Sequence, residues 1–235
     1  EISECLVGSE MCIRDRMTKL FSDGDLRESQ RYMKLSVDAI MAIAFAIALG
    51  IVSVSRLFAP IFWGEDFAPC AYILSALALS IPFSGFANVI RMQYLIPNGM
   101  DGAYILSVIL GAVSNLTANS LLIPRCGALG AAVGTVIAEG VVCAAQCLAV
   151  KKRIDILAYL KSTAFFGMAG LLMYGAVRVL DQRAEITVSW LLLEIVVGGS
   201  VYCILSVLYL YHTKNELLMT ALQKLGGAHQ NNDRG

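Results

Sequence analysis

Residues 103–149 read AYILSVILGAVSNLTANSLLIPRCGALGAAVGTVIAEGVVCAAQCLA, and this stretch decides the fold. Two apolar runs, 103–123 and 127–149, are parted only by Pro124-Arg125-Cys126-Gly127. Each is about 20 residues long, the length an α-helix needs to cross the hydrocarbon core of a bilayer. A connection this tight predicts that the two helices run antiparallel as a hairpin. Working outward, apolar runs of similar length recur at 35–55, 68–90, 160–180 and 188–211. The fold class is all-α integral membrane, with about six transmembrane helices.

The connections carry loop chemistry. Phe62-Trp63-Gly64-Glu65-Asp66 ends the first run, and Pro69 suits the first turn of the next helix. Pro97-Asn98-Gly99 breaks the second run, and Lys151-Lys152-Arg153 closes the fourth. Pro82 falls inside the second span and is expected to kink it by removing a backbone hydrogen bond.

Composition agrees. The chain is 57% hydrophobic and 15% charged, where a soluble domain carries about a quarter charged residues. Net charge is zero, so there is no electrostatic footprint for nucleic acid. The placement of charge gives the orientation. With the N-terminal tail in the cytoplasm, only Arg56, Arg125, Arg178 and Arg183 fall on the outer side. The larger set, with Lys34, Arg91, Lys151, Lys152, Arg153 and Lys161 among it, falls inside, as the positive-inside rule requires. Both termini are then cytoplasmic. Trp63 and Trp190 mark the outer boundary, and Tyr94, Tyr104, Tyr159 and Tyr211 the inner one.

Leu6 to Asp15 resembles a translated transposase adapter of sequencing libraries over ten consecutive residues. Residues 1–15 are therefore set aside from fold reasoning and expected to lack order. The domain organisation that follows is a cytoplasmic linker at 16–34, a transmembrane region at 35–211 and a cytoplasmic tail at 212–235. The chain is expected to be a C-terminal fragment of a longer protein. Outside the set-aside stretch, Cys70, Cys126, Cys143, Cys147 and Cys203 form no metal spacing, and neither histidine, His212 or His229, lies within an apolar run. No cofactor or metal is implied.

Polar groups inside the spans are the candidate functional residues, because an ionisable side chain at mid-membrane normally faces protein or a water-filled cavity. Glu139 sits near the middle of span four, with Thr135 one turn before it and Gln146 two turns after. Asn115 and Asn119 lie one turn apart in span three. The two spans are expected to present these groups to a common cavity, the alternative being hydrogen bonding between the helices themselves. Glu194 in span six and Asp38 at the cytoplasmic end of span one are secondary candidates. So is Arg91, which either anchors span two or meets a phosphate through paired guanidinium hydrogen bonds. Gly130 and Gly134 form a GxxxG pattern, whose ordinary meaning is close helix packing.

Taken together, Gln93-Tyr94-Leu95-Ile96-Pro97 and the set Gly111, Asn115, Asn119, Leu122-Ile123-Pro124, Gly127, Gly130, Thr135 and Glu139 resemble the polysaccharide biosynthesis, or lipid-linked oligosaccharide flippase, family. That family belongs to the multidrug/oligosaccharidyl-lipid/polysaccharide exporter (MATE-like) superfamily. Arg16-Met17-Thr18-Lys19-Leu20, Asp23-Gly24-Asp25 and the Phe62–Phe67 loop fit the same pattern. The resemblance covers residues 16–150; beyond them it is one of hydrophobic topology.

The resemblance implies a two-lobe transporter of 12–14 helices, of which these spans would be the last six, in a bacterial inner membrane. It implies movement of a polyprenyl-diphosphate-linked glycan between leaflets, without enzymatic chemistry. The lipid bilayer and the lipid-linked glycan are the partners, with a proton or sodium ion for coupling. No Arg or Lys lies at mid-membrane to hold a diphosphate. A drug/cation antiporter of the same superfamily and the peptidoglycan-precursor flippase share the implied fold. A membrane glycan polymerase or acyltransferase is the rival of a different class. It needs positioned acid–base or nucleophilic groups on a substantial loop, and no outer loop here is long.

Overall fold

The computed structural model describes residues 10–23, 25–182 and 185–213, and every regular element among them is helical. Helix α1 is Glu10–Ser22 and α2 is Leu26–Trp63. After a single 3₁₀ turn at Glu65–Phe67 come α3, Cys70–Ala78, and α4, Ser80–Ile90, which runs into a π-helical turn at Arg91–Leu95. Helix α5 is Asp101–Val150, α6 is Ile156–Asp181 and α7 is Val188–His212. The tail from Lys214 onward, with His229, lies outside the described residues, as do residues 1–9 and Arg183.

Five stretches are long and apolar enough to cross a membrane: 27–63, 70–95, 101–150, 156–181 and 188–212. The third is a folded-back pair. Its helical path breaks at Gly127, where φ is 57° and ψ is −134°. A side chain is strained in that left-handed region and glycine is not, so this residue lets residues 128–150 return along 101–126. Gln146 Nε2 reaches Ser107 Oγ at 3.1 Å across the pair, 39 residues apart in sequence. Near the turn, a Cβ added to Gly130 would stand 2.5 Å from the Leu122 carbonyl oxygen. The GxxxG pattern thus brings backbone against backbone, as small residues do in membranes.

The second membrane stretch is bent where the sequence places a proline. Pro82 cannot donate to the Ala78 carbonyl, and the α-helix stops at Ala78 and restarts at Ser80. Leu79 N bonds instead to Ala76 O at 3.1 Å, a tightened turn. Farther along, Pro97 cannot donate to Gln93. The chain there widens into π geometry, with Ile96 N bonded to Arg91 O at 3.0 Å.

Helix α2 is the central element, packed on α3, α4, α6 and α7, while the α5 hairpin packs mainly on α3 and α4. One core joins Met33, Val37 and Met41 of α2 to Phe86 and Ile90 of α4, Tyr94 and Leu95 of the π turn, and Tyr159 and Phe166 of α6. A smaller one joins Leu49 to Ala169, Met173 and Tyr202. Within lipid such contacts act through close packing and hydrogen bonds, since the surrounding tails are as apolar as the core. The 2.7 Å bond from the Tyr202 hydroxyl to the Ala42 carbonyl is one of these fixed points.

Two expectations change. Tyr94 and Tyr159 are 7% and 6% exposed, so they serve the core rather than an interfacial belt. Residues 10–15, expected to lack order, are the first turns of α1. The reason lies downstream. Met17 is buried, Phe21 meets Tyr94 edge-on at 5.7 Å, and Arg16 hydrogen-bonds the Tyr32 hydroxyl with its guanidinium over that ring. Helix α1 is thereby docked on the π turn, and helical propagation upstream of a docked turn adds one bond per residue.

Candidate functional site

The polar residues of the hairpin are mostly engaged within it, along each leg and once across the pair. Asn119 Nδ2 donates to Asn115 Oδ1 at 3.0 Å along its own helix. Asn119 Oδ1 points at Gly134 on the opposite leg, in the space a Cβ there would fill. Gln146 is 2% exposed and held by Ser107. The Thr135 hydroxyl donates to the Ala131 carbonyl at 3.1 Å, satisfying itself locally. Glu139 is half-buried. Helical spacing sets it in line with Thr135, Cys143 and Cys147, and the two cysteines pack against the larger core. Asn115, Asn119, Thr135, Glu139 and Gln146 line neither of the two cavities that α2, α6 and α7 form.

Arg91 opens the π turn and is held there. Its Nη2 donates to Asn88 Oδ1, its guanidinium lies 5.5 Å from the centre of the Tyr104 ring, and its Nε is buried without a hydrogen-bond partner. Arg91 lines neither of these two cavities.

The first cavity, about 710 Å³, lies where the N-terminal parts of α2 and α6 meet the end of α7. Arg27, Arg31, Lys34 and Lys161 line it, with Asp38 and Asp155 as the acids. Asp155 caps its own helix, accepting from Ala158 N at 3.2 Å. Asp38, 3% exposed, acts electrostatically on the hydroxyls of Tyr159 and Tyr209. Tyr209 is fixed by stacking on Phe165 at 3.8 Å.

The second cavity, about 330 Å³, runs along α2, α6 and α7 and is lined by apolar and small residues around Glu194. Glu194 is fully buried, and neither carboxylate oxygen has a hydrogen-bond partner among the described residues. The charges acting on it are Asp181, Arg56 and Arg178. Asp181, 3% exposed, accepts from Arg56 Nη1 and Arg178 Nη1, each at 2.9 Å, on one oxygen. The structure therefore brings Glu194 into an ionic group that sequence reading did not assemble. Arg178 to Asp181 is a visible i,i+3 pair, but the Arg56 bond spans 125 residues and leaves no local trace. Lys34 and Lys161 were likewise legible only as orientation charges.

Long apolar helices, a bent and π-turned span, and ionisable groups buried between spans define a class, the all-helical multi-pass membrane proteins. The particular likeness is to a solved structure titled "Lipid II flippase MurJ, inward closed conformation", with a TM-score of 0.73 and 17% sequence identity. The match covers 91% of this chain and 45% of that one, so the chain spans about half the length of the protein it resembles. At this identity the likeness shows the fold. No family model matches the sequence, and no curated protein does.

Proposed function

We propose that this chain is part of a flippase that carries a lipid-linked substrate across a bacterial inner membrane, with both termini in the cytoplasm. The observation that carries the reading is the superposition of nine-tenths of the chain on a lipid II flippase. The finer substrate assignment is a polyprenyl-diphosphate-linked oligosaccharide destined for an envelope polysaccharide. It rests on the resemblance of residues 16–150 to the polysaccharide flippase family. A headgroup of sugars and phosphates cannot enter hydrocarbon unaided. A flippase lets it pass through a polar path between helices while the lipid tail stays in the bilayer.

In this reading Glu139, with Thr135 and the Asn115–Asn119 pair, is the group that would take up a coupling proton or sodium ion. Glu139→Gln is expected to lower glycan translocation and its ion dependence; unchanged transport in a folded variant removes Glu139 from the mechanism. The function itself is tested by depleting the full gene product and probing the outer leaflet with a membrane-impermeant glycosidase. The expected result is loss of outer-leaflet lipid-linked glycan. An intact outer pool with retention of an organic cation dye instead supports the drug antiporter.

A further inference from the structure

We propose that the 710 Å³ basic cavity between α2, α6 and α7 is a binding site for the phosphate headgroup of an anionic membrane lipid. The proposal does not depend on the chain moving a lipid, and it assigns a site distinct from the Glu139 group.

Three observations carry it. The first is depth. Lys34 immediately precedes the apolar run of α2, and Lys161 lies one turn into α6. The cavity therefore opens at the level where helix ends meet lipid headgroups, the depth of the phosphates. The second is charge. Four cations face two acids; Arg31 is paired with Glu28 at 3.0 Å, and Asp155 is already engaged by the α6 backbone. Asp38 is buried beneath, so the exposed rim presents Arg27, Lys34 and Lys161, none of them in an ion pair among the described residues. The third is the arrangement of donors. Exposed basic residues alone would be a diffuse field. Here they come from two helices far apart in sequence and surround a cavity whose wall includes Tyr159 and Tyr209, the latter fixed by its stacked neighbour. Basic pockets between membrane helices are the recurring solution for a lipid phosphate. Two kinds of lipid carry that chemistry, a bulk phospholipid and a polyprenyl diphosphate, and the test separates them.

The purified chain, in detergent, is titrated with phosphatidylglycerol, phosphatidylcholine, undecaprenyl diphosphate and inorganic phosphate, and binding is read by native mass spectrometry. Retention of phosphatidylglycerol over phosphatidylcholine, weakened roughly 30-fold in the Lys34→Gln/Lys161→Gln double variant, supports the site with a bulk phospholipid as occupant. The same loss seen with undecaprenyl diphosphate alone supports it with a diphosphate lipid as occupant. Lys34→Arg/Lys161→Arg keeps the charge and is expected to keep the binding, which separates a lost site from a lost fold. The Lys151→Gln/Lys152→Gln variant removes equal charge from outside the cavity. If it weakens binding as much, if the first double variant has no effect, or if only inorganic phosphate binds, the proposal is overturned.

Discussion

The α5 hairpin and the α2–α6–α7 unit handle buried polarity in opposite ways. The hairpin is held by neutral groups: the Ser107–Gln146 bond and the close approach at Gly130 and Gly134. Its most apolar window is 17% buried, against 39% for α2, so most of its surface faces away from the rest of the chain. The three-helix unit buries ionisable groups instead, Glu194 and Asp181, and balances the second with Arg56 and Arg178. Neutral hydrogen bonds in a membrane are worth about 0.6 kcal/mol each on average. A buried charge that loses its partner costs several times more. The difference teaches that the hairpin depends on shape and the three-helix unit on charge balance.

That contrast is breakable. Asp181→Ala removes the shared acceptor and leaves two guanidiniums facing one another. Because both arginines are partly exposed, the expected loss is about 2–3 kcal/mol, below the full buried-pair value. It is read as a lower Tm in detergent, and an unchanged Tm would make the network ornamental. Gly130→Ala drives a methyl into the Leu122 carbonyl, which cannot swing aside. A loss of roughly 2 kcal/mol is expected, insensitive to salt, within the range for overpacking.

Smaller effects sharpen the comparison. Glu194→Met replaces a buried, unpartnered acid by an apolar side chain of similar size, and a gain of about 1 kcal/mol is expected. A fall in Tm would mean that Glu194 has a stabilising partner. Gly134→Ala meets only the end of the Asn119 side chain, so a loss under about 1 kcal/mol is expected. Asn119→Ala in the same chain should restore it. A failure of that rescue in a thermal melt would separate the two residues.

Legibility from sequence followed the same division. The hairpin could be read because its cause is local: two apolar runs, a Pro-Arg-Cys-Gly turn and a small-residue stripe lie within 50 residues. The bend at Pro82 could be read for the same reason. Which way Asn119 points could not be read, because it depends on the absent side chain at Gly134, a contact between two legs. The basic cavity and the Asp181 network join residues from opposite ends of the chain, Lys34 with Lys161 and Arg56 with Asp181. A pattern within one window cannot contain them. Only the topology that places α2 at the centre brings them together.

The fold-back at Gly127 also bears on how the chain is made. A single leg released into lipid would expose Asn115 and Asn119, or Gln146, to hydrocarbon, where each unmatched amide is costly. Paired, Gln146 of the second leg is met by Ser107 of the first, and Asn119 of the first packs against Gly134 of the second. The first leg is therefore best retained at the insertion machinery until the second has been synthesised, so that both enter the bilayer as one unit. A biogenesis step of this kind is set by one residue's ability to reverse the chain, and lengthening the turn would uncouple the two insertions.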